Sequence, residues 1–389
     1  MSSRSDIHAV IKQEMDSVSI QGLYRKRPLI ESAQGAVIRI NGKDVINFCS
    51  NDYLGFAGHP EIARAFKLGV DQYGAGCGAS QLVCGYTSAH SLLEENLSEF
   101  TGRQRAIVFS SGYMANLAIV NSFLDKSDIV AGDRLNHASM IDASIISPAI
   151  FRRFQHANTA SLEDVLTRAG SVKKLVTTDA VFSMDGDIAP LDKYAEICKR
   201  HNAWLCVDDA HGFGVLGEKG AGTLEMYQLN SKDVPLMMAT FGKSMGTFGA
   251  FIAADEDIIE YLIQKARTLI YTTALPSALA VATNRALELL NEESWRRKNL
   301  EDLIDYFRKK AKEAGLPVSN SVTAIQPLIV GDAGKTAGLS EQLLEKGIFV
   351  QAIRPPTVPK GTSRLRIALT AAHEQKHIDR LLSTLLELF

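Results

Sequence analysis

The sequence lacks most of what would set it apart from an ordinary globular protein. No charge of one sign dominates its 389 residues: 42 Lys and Arg stand against 44 Asp and Glu, a formal net charge of −2. Without a basic field, nucleic acid is not expected as a main partner. Cysteine is scarce: the five residues Cys49, Cys77, Cys84, Cys198 and Cys206 make an odd count with no Cys-x-x-Cys pair. That argues against a disulfide framework or a zinc ribbon and for a reducing compartment. No long apolar run is free of polar residues. Stretches 72–93 and 106–124 are uncharged but studded with Gly, Ser, Asn or Gln, poor material for lipid. The first residues carry no apolar core of signal-peptide type. Repeats and low-complexity tracts are absent. The expectation is a cytoplasmic protein with no membrane or nucleic-acid partner.

What is present is core-forming material. Hydrophobic residues make up 46% and charged residues 22%, too apolar a mixture to stay disordered. Residues 5–24 pattern as a helix. AVIRI and DVINF flank Asn41-Gly42, a hairpin signal. From about 60 to 260, strands at 106–109, 128–131, 174–178, 203–207, 236–240 and 250–253 alternate with helices, among them 112–123, 137–146, 161–169 and 191–200. Such alternation predicts an α/β fold: a mostly parallel central sheet flanked by helices. After 280 the texture changes. A long charged helix over 278–314 leads into a smaller set: strand IQPLIVG, helix 335–346, strands FVQAI and RLRIAL, and helix 372–387. The expected division is 1–50 as a helix and hairpin segment, 51–280 as a large ligand-binding domain, and 281–389 as a small C-terminal α/β domain.

Some motifs have competing readings. Gly212-x-Gly214-x-x-Gly217 matches a dinucleotide fingerprint but is a poor helix start, so a nucleotide-binding protein using Gly212–Gly217 stands as the alternative of a different class. Gly242-Lys-Ser lacks the first glycine of a P-loop, and His373-Glu-Gln-Lys-His377 reads as a polar helix start rather than a zinc site; no metal is expected.

The ends of the strands are more informative, because ligands of open parallel sheets bind there. After AIVF come Ser110, Ser111, Gly112 and Tyr113, opening a helix whose N–H groups suit a phosphate. The next strand leads to His137. WLCV leads to Asp208, Asp209 and His211, and LMMA to Thr240 and Lys243. A phosphate cradle, imidazoles, carboxylates and a lysine together suit pyridoxal phosphate. That cofactor needs a lysine for its aldehyde, an acid for its ring nitrogen and a phosphate site. Gly242 and Gly246 are expected to let backbone approach its ring.

Asn51-Asp-Tyr-Leu-Gly55, Asp133-Arg-Leu-Asn-His137-Ala-Ser139, Phe182-Ser-Met-Asp-Gly186, Val207-Asp-Asp-Ala-His211-Gly212 and Thr240-Phe-Gly-Lys243, in that order, resemble the α-oxoamine synthases. These are fold type I pyridoxal-phosphate enzymes with a smaller C-terminal α/β domain, and the resemblance spans about residues 8–385. It implies a decarboxylative condensation of an amino acid with an acyl thioester. Ala352-Ile-Arg-Pro-Pro-Thr-Val-Pro359 resembles the branch that joins L-alanine to a pimeloyl thioester, on coenzyme A or acyl carrier protein, in biotin synthesis. A sibling synthase of the glycine C-acetyltransferase type is the alternative. By the family pattern Lys243, His137, Asp208 and His211 are catalytic. Gly112, Tyr113, Ser183 and Thr240 join those four in holding the cofactor, with Asp208 at the ring nitrogen. Arg25, Asn51, His137, Thr357 and Arg366 bind substrate. The resemblance also implies a homodimer with active sites at its interface, reached through Thr268–Ala274.

Overall fold

The structure, a computed structural model, describes residues 6–388. Residues 1–5 and 389, at the outer ends of the first and last expected segments, lie outside the described residues. The chain gathers into two compact units. The larger comprises residues 51–302 with 370–372. The other comprises the described residues up to Ser50, Leu303–Leu369 and His373 onward. The sequence pattern drew a line at 280, whereas the larger unit runs on to Asp302. The helix Ser277–Glu292 buries Ala278, Ala282 and Ala286 within that unit. Its neighbour, the helix Pro60–Tyr73, approaches so closely that a Cβ on Gly69 would lie 2.7 Å from Ala278 Cα.

The larger unit is built on a seven-stranded sheet. Across it run Arg105–Phe109, Ala250–Ala254, Leu236–Thr240, Trp204–Asp208, Lys174–Asp179, Ile129–Asp133 and Ile150–Phe154. All pairings are parallel except those of Ala250–Ala254, which is antiparallel to both neighbours. Side chains alternate between two apolar layers: Val176, Val207 and Met237 join one core, and Leu175, Cys206 and Met238 the other. A strand buried on both faces is mostly apolar along its length, which is why strands such as Trp204–Asp208 and Leu236–Thr240 read as near-continuous hydrophobic runs. Polar residues appear where the strands end, at Asp133, Asp179, Asp208 and Thr240. The edge strand Ile150–Phe154 was not expected; Arg152 and Arg153 are exposed on it.

In the other unit, Val37–Ile40 and Lys43–Asn47 form the expected hairpin. Asn41 and Gly42 have φ of 50° and 72°, the left-handed pair that a two-residue turn needs. The run FVQAI divides at Val350. Ile348–Phe349 pairs with Lys43–Asn47, and Gln351–Ile353 pairs with Ser363–Ala368. The expected single helix over 278–314 is two, Ser277–Glu292 and Trp295–Glu313. Glu293 leaves helical geometry at φ −114°, ψ 41°, and its carboxylate pairs with Arg296, whose Nη1 donates to Leu54 O at 3.0 Å. Among the described residues no helix is long and apolar enough to cross a membrane.

Candidate active site

Because the neighbouring strands are parallel, their carboxyl ends open on one side of the sheet. A cavity of about 180 Å³ lies there, lined by Gly112, Tyr113, His137, Asp208, His211, Thr240 and Lys243 among others. Seven of the residues expected from sequence are thus brought to one place by successive strand–helix connections.

The cradle at one end starts at Ser111, which caps the helix Gly112–Phe123 by accepting from Met114 N. A Cβ on Gly112 would meet Thr240 Cγ2 at 2.7 Å, so no other residue leaves that backbone beside Thr240. Thr240 Oγ1 is buried and has no hydrogen-bond partner. A helix N-terminus beside an orphaned hydroxyl fits a phosphate. At the other end, Asp208 closes its strand, accepts from Ala210 N at 3.0 Å and from Asn116 Nδ2 at 2.9 Å, and is 6% exposed. Its neighbour Asp209 turns into the protein. It accepts from Thr223 N at 2.7 Å, and burial pushes it up to about 8 despite that bond. His211 Nδ1 lies 2.6 Å from Tyr53 Oη, and Asn51 Oδ1 accepts from the same hydroxyl at 3.3 Å. The motif around Asn51 is therefore a device for presenting Tyr53: Asp52 takes the N–H groups of Phe56 and Ala57 at 2.8 and 3.1 Å. Ser183 sits in a tight turn closed by Gly186 N to Phe182 O at 2.8 Å, and neither it nor Asn51 lines the cavity.

Sequence reasoning missed three residues of this site. Asp179 is 4% exposed and accepts from His137 N at 3.1 and 3.2 Å; burial first, and Asp208 second, raise its carboxyl well above the ordinary range. It closes a strand as Asp208 does, and the same strand-end argument would have found it. Asn116 is a buried polar residue among the apolar neighbours Met114, Ala115, Leu117 and Ala118 of its helix, one turn beyond Gly112. Ser139 stands within the quoted His137 motif, its hydroxyl 2.7 Å from His137 Nδ1. Burial pushes His137 below its ordinary value, with Asp208 opposing and Lys243 reinforcing.

Two expectations need correcting. Gly246, at φ 64°, is required by the backbone of Phe56 and Ala57, 2.3 Å from a would-be Cβ, while Gly242 has only Thr247 O at 3.7 Å. The glycine character of Gly246 therefore serves chain packing, whereas no neighbour requires it at Gly242. The Gly212–Gly217 run is likewise packed from inside: Cβ atoms there would strike Asp209, Ser244 and Glu225 at 2.2, 2.5 and 2.2 Å. The next helix in the chain, Thr223–Met226, has only four residues, so no helix start is placed to hold a dinucleotide. Among the described residues no group of three His, Cys, Asp or Glu could hold a metal. His373 instead stacks on Phe48 at 4.4 Å and lies 3.0 Å from Asn47 O.

Arg25, Thr357 and Arg366 belong to the other unit. Arg366 lies on Ser363–Ala368 and is 6% exposed. Arg354 donates to the carbonyls of Gly22 and Tyr24, tying the segment before Arg25 to the run that carries Thr357, and both of those residues are exposed.

Fold and strand-end site together define a class, and the aminotransferase class I and II family matches residues 43–385. Within that class the chain belongs to the 8-amino-7-oxononanoate synthase family. It is 51% identical over 376 residues to the 8-amino-7-oxononanoate synthase of Thioalkalivibrio sulfidiphilus, covering 96% of each chain. To that of Nitrosococcus oceani it is 51% identical over 374 residues, 96% of this chain and 99% of the relative. Among solved structures, a serine palmitoyltransferase from S. paucimobilis with PLP and myriocin bound has a TM-score of 0.93 at 28% identity, covering 99% of this chain and 98% of that one. An 8-amino-7-oxononanoate synthase from Francisella tularensis has a TM-score of 0.78 at 33% identity, covering 88% and 97%.

Proposed function

We propose that the cavity at the strand ends is where L-alanine is condensed with a pimeloyl thioester, on coenzyme A or acyl carrier protein. The chain is a pyridoxal-phosphate-dependent acyltransferase that makes 8-amino-7-oxononanoate, carbon dioxide and free thiol in biotin biosynthesis. Pyridoxal phosphate, when bound, supplies an aldehyde for the amino group and an electron sink for the carbanion at the alanine Cα. The protein does the rest. The N–H groups of Gly112 and Tyr113 and the Thr240 hydroxyl would hold the phosphate. Lys243 would anchor the cofactor through its aldehyde and, with its amine free, take the proton from the alanine Cα. Asp208 keeps a proton on the ring nitrogen. His211, with Ser183, would bond the ring oxygen, and His137 would cover the ring face and polarise the acyl carbonyl. Arg366 binds the alanine carboxylate, for which its fork is matched. The enzyme acts as a homodimer.

The observation that carries this reading is the joint presence of Asp208, Lys243 and the unpartnered Thr240 hydroxyl in one cavity. Borohydride treatment followed by peptide mapping should place a pyridoxyl group on Lys243. Recovery on another lysine would sink the assignment. Mass spectrometry of the product from alanine and pimeloyl thioester, against glycine and acetyl thioester, separates this reading from a sibling synthase.

Arg25 and Thr357 are assigned to the acyl substrate, Arg25 to the charged end of the pimeloyl chain. A charge-assisted contact of this kind is worth about 1.5–3 kcal/mol, roughly ten- to a hundredfold in kcat/KM. Arg25→Ala should impose that loss on pimeloyl thioester and spare an uncharged acyl thioester of equal length. Equal losses on both would remove Arg25 from recognition of that end.

A further inference from the structure

Two buried side chains join the residue assigned to the ring nitrogen to the residue assigned to the ring face. Asn116 and Ser139 are each 1% exposed. Asn116 Nδ2 lies 2.9 Å from Asp208 Oδ2 and 2.9 Å from Ser139 Oγ. Ser139 Oγ lies 2.7 Å from His137 Nδ1, and Ser139 N donates to the same nitrogen at 3.3 Å. Asn116 Oδ1 is buried with no partner.

Donor and acceptor chemistry gives this chain a direction. A carboxylate oxygen only accepts, so the amide must turn its nitrogen to Asp208. The reversed amide would set oxygen against oxygen, and the structure keeps the other arrangement although it strands Oδ1, a costly outcome for a buried acceptor. The amide has two hydrogens, and Asp208 and Ser139 take one each. Ser139 Oγ thus accepts from Asn116 and turns its own single hydrogen to His137 Nδ1. That nitrogen then faces two donors, the hydroxyl and the Ser139 N–H. It must be the unprotonated one, and a neutral imidazole of this kind carries its hydrogen on Nε2.

We infer that Asn116 and Ser139 are positioning residues that relay the acceptor character of Asp208 to His137 and fix it as the neutral, Nε2-protonated tautomer. The inference rests on the proposed reading of His137 and Asp208 and adds to it which nitrogen does the work. Nε2–H is the donor offered to the acyl carbonyl oxygen of the thioester. An imidazolium would set an Nδ1 hydrogen against the relay's own donors. One hydrogen-bond chain therefore presets both ends of the site before substrate arrives, as catalysis by preorganised donors requires.

The test is nitrogen NMR of histidine-labelled protein, with and without cofactor, the His137 signals being assigned by their loss in His137→Gln. Wild type should show Nδ1 as an acceptor and Nε2 protonated in both preparations. Ser139→Ala removes one hydroxyl and should let the tautomers mix. Its kcat should fall about tenfold or more, with KM for alanine changing far less. Ser139→Thr should restore both readouts. A protonated Nδ1 in wild type, or a Ser139→Ala variant unchanged in tautomer and kcat, overturns the relay. The cofactor-free spectra decide it even if Lys243 proves not to carry the cofactor, so failure of the proposed function and failure of the relay remain distinguishable.

Discussion

At the scale of single residues, Asp208 and Asp209 show how neighbours of one type part company. Asp208 ends the strand Trp204–Asp208 and Asp209 follows it directly, and extended backbone sends successive side chains to opposite sides. Asp208 reaches the cavity, whereas Asp209 is enclosed by Gly212 and Gly222, where a Cβ would lie 2.2 and 2.1 Å from its carboxylate. Asp209 closes the following loop onto Thr223 N. Only a motif could choose between them in the sequence; the structure supplies the physical difference, enclosure. Asp208→Asn should therefore cost about a hundredfold or more in kcat, the scale of a lost charge partner in a buried site. Asp209→Asn keeps an acceptor for Thr223 and should hold kcat within about threefold while lowering the melting temperature. Steady-state kinetics and thermal melts on the two variants check this, and equal kcat values would refute it.

At the scale of elements, strand ends were legible because a strand buried on both faces is apolar until it leaves the sheet. Polar residues therefore mark the exits, as at Asp208 and Thr240. Ile150–Phe154 was not legible, because an edge strand exposing Arg152 and Arg153 lacks that contrast. Nor does periodicity record that Ala250–Ala254 runs against its neighbours. Also hidden was a clamp between the connections. His156 Nδ1 lies 3.1 Å from Asp133 Oδ1 and Nε2 lies 2.8 Å from Asp187 Oδ2, with Phe182 edge-on at 4.3 Å. It thereby joins the turn leading to His137 and the turn carrying Ser183. Burial alone would lower the imidazole pKa, but bonds to Asp133 and Asp187 and their charges outweigh it and raise it to about 10. Since the folded value lies above the ordinary 6.5, the clamp's contribution is complete below about pH 6.5 and is lost as pH rises through about 10. His156→Gln should destabilise by about 2 kcal/mol at neutral pH, less than a fully buried pair because the imidazole is partly exposed. It should also flatten this part of the stability–pH curve. Denaturant melts from pH 6 to 10 measure both effects; parallel curves for variant and wild type would show that the clamp carries no charge.

At the scale of the whole molecule, the question is what covers the apolar surface beside the cradle. Leu82, Val83 and Tyr271 are 51%, 77% and 71% exposed. They are not scattered, for Ser80 and Thr273 form a bridge and Ala274 N donates to Ala79 O at 2.9 Å, which sets their segments side by side. Ser110 Oγ donates to Thr273 O at 3.3 Å, so this exposed patch is continuous with the segment proposed to cradle the phosphate. Grouped apolar exposure of this kind marks an interaction surface, and an isologous contact with a second copy would cover both patches at once. In the proposed homodimer with shared sites, each site would draw Lys243 from one chain and Tyr271 with Thr272 from the other. Lys243→Ala alone should be inactive, and Tyr271→Ala/Thr272→Ala should be severely impaired through weakened cofactor retention. Mixed after gentle denaturation and refolding, half of the dimers should be hybrids by random pairing. In each hybrid one site carries both defects and the other carries neither. About a quarter of wild-type activity per total site should therefore return, with sedimentation showing a dimer throughout. If mixing restores nothing, or if the wild type sediments as an active monomer, the shared site is wrong and Thr268–Ala274 serves its own chain alone.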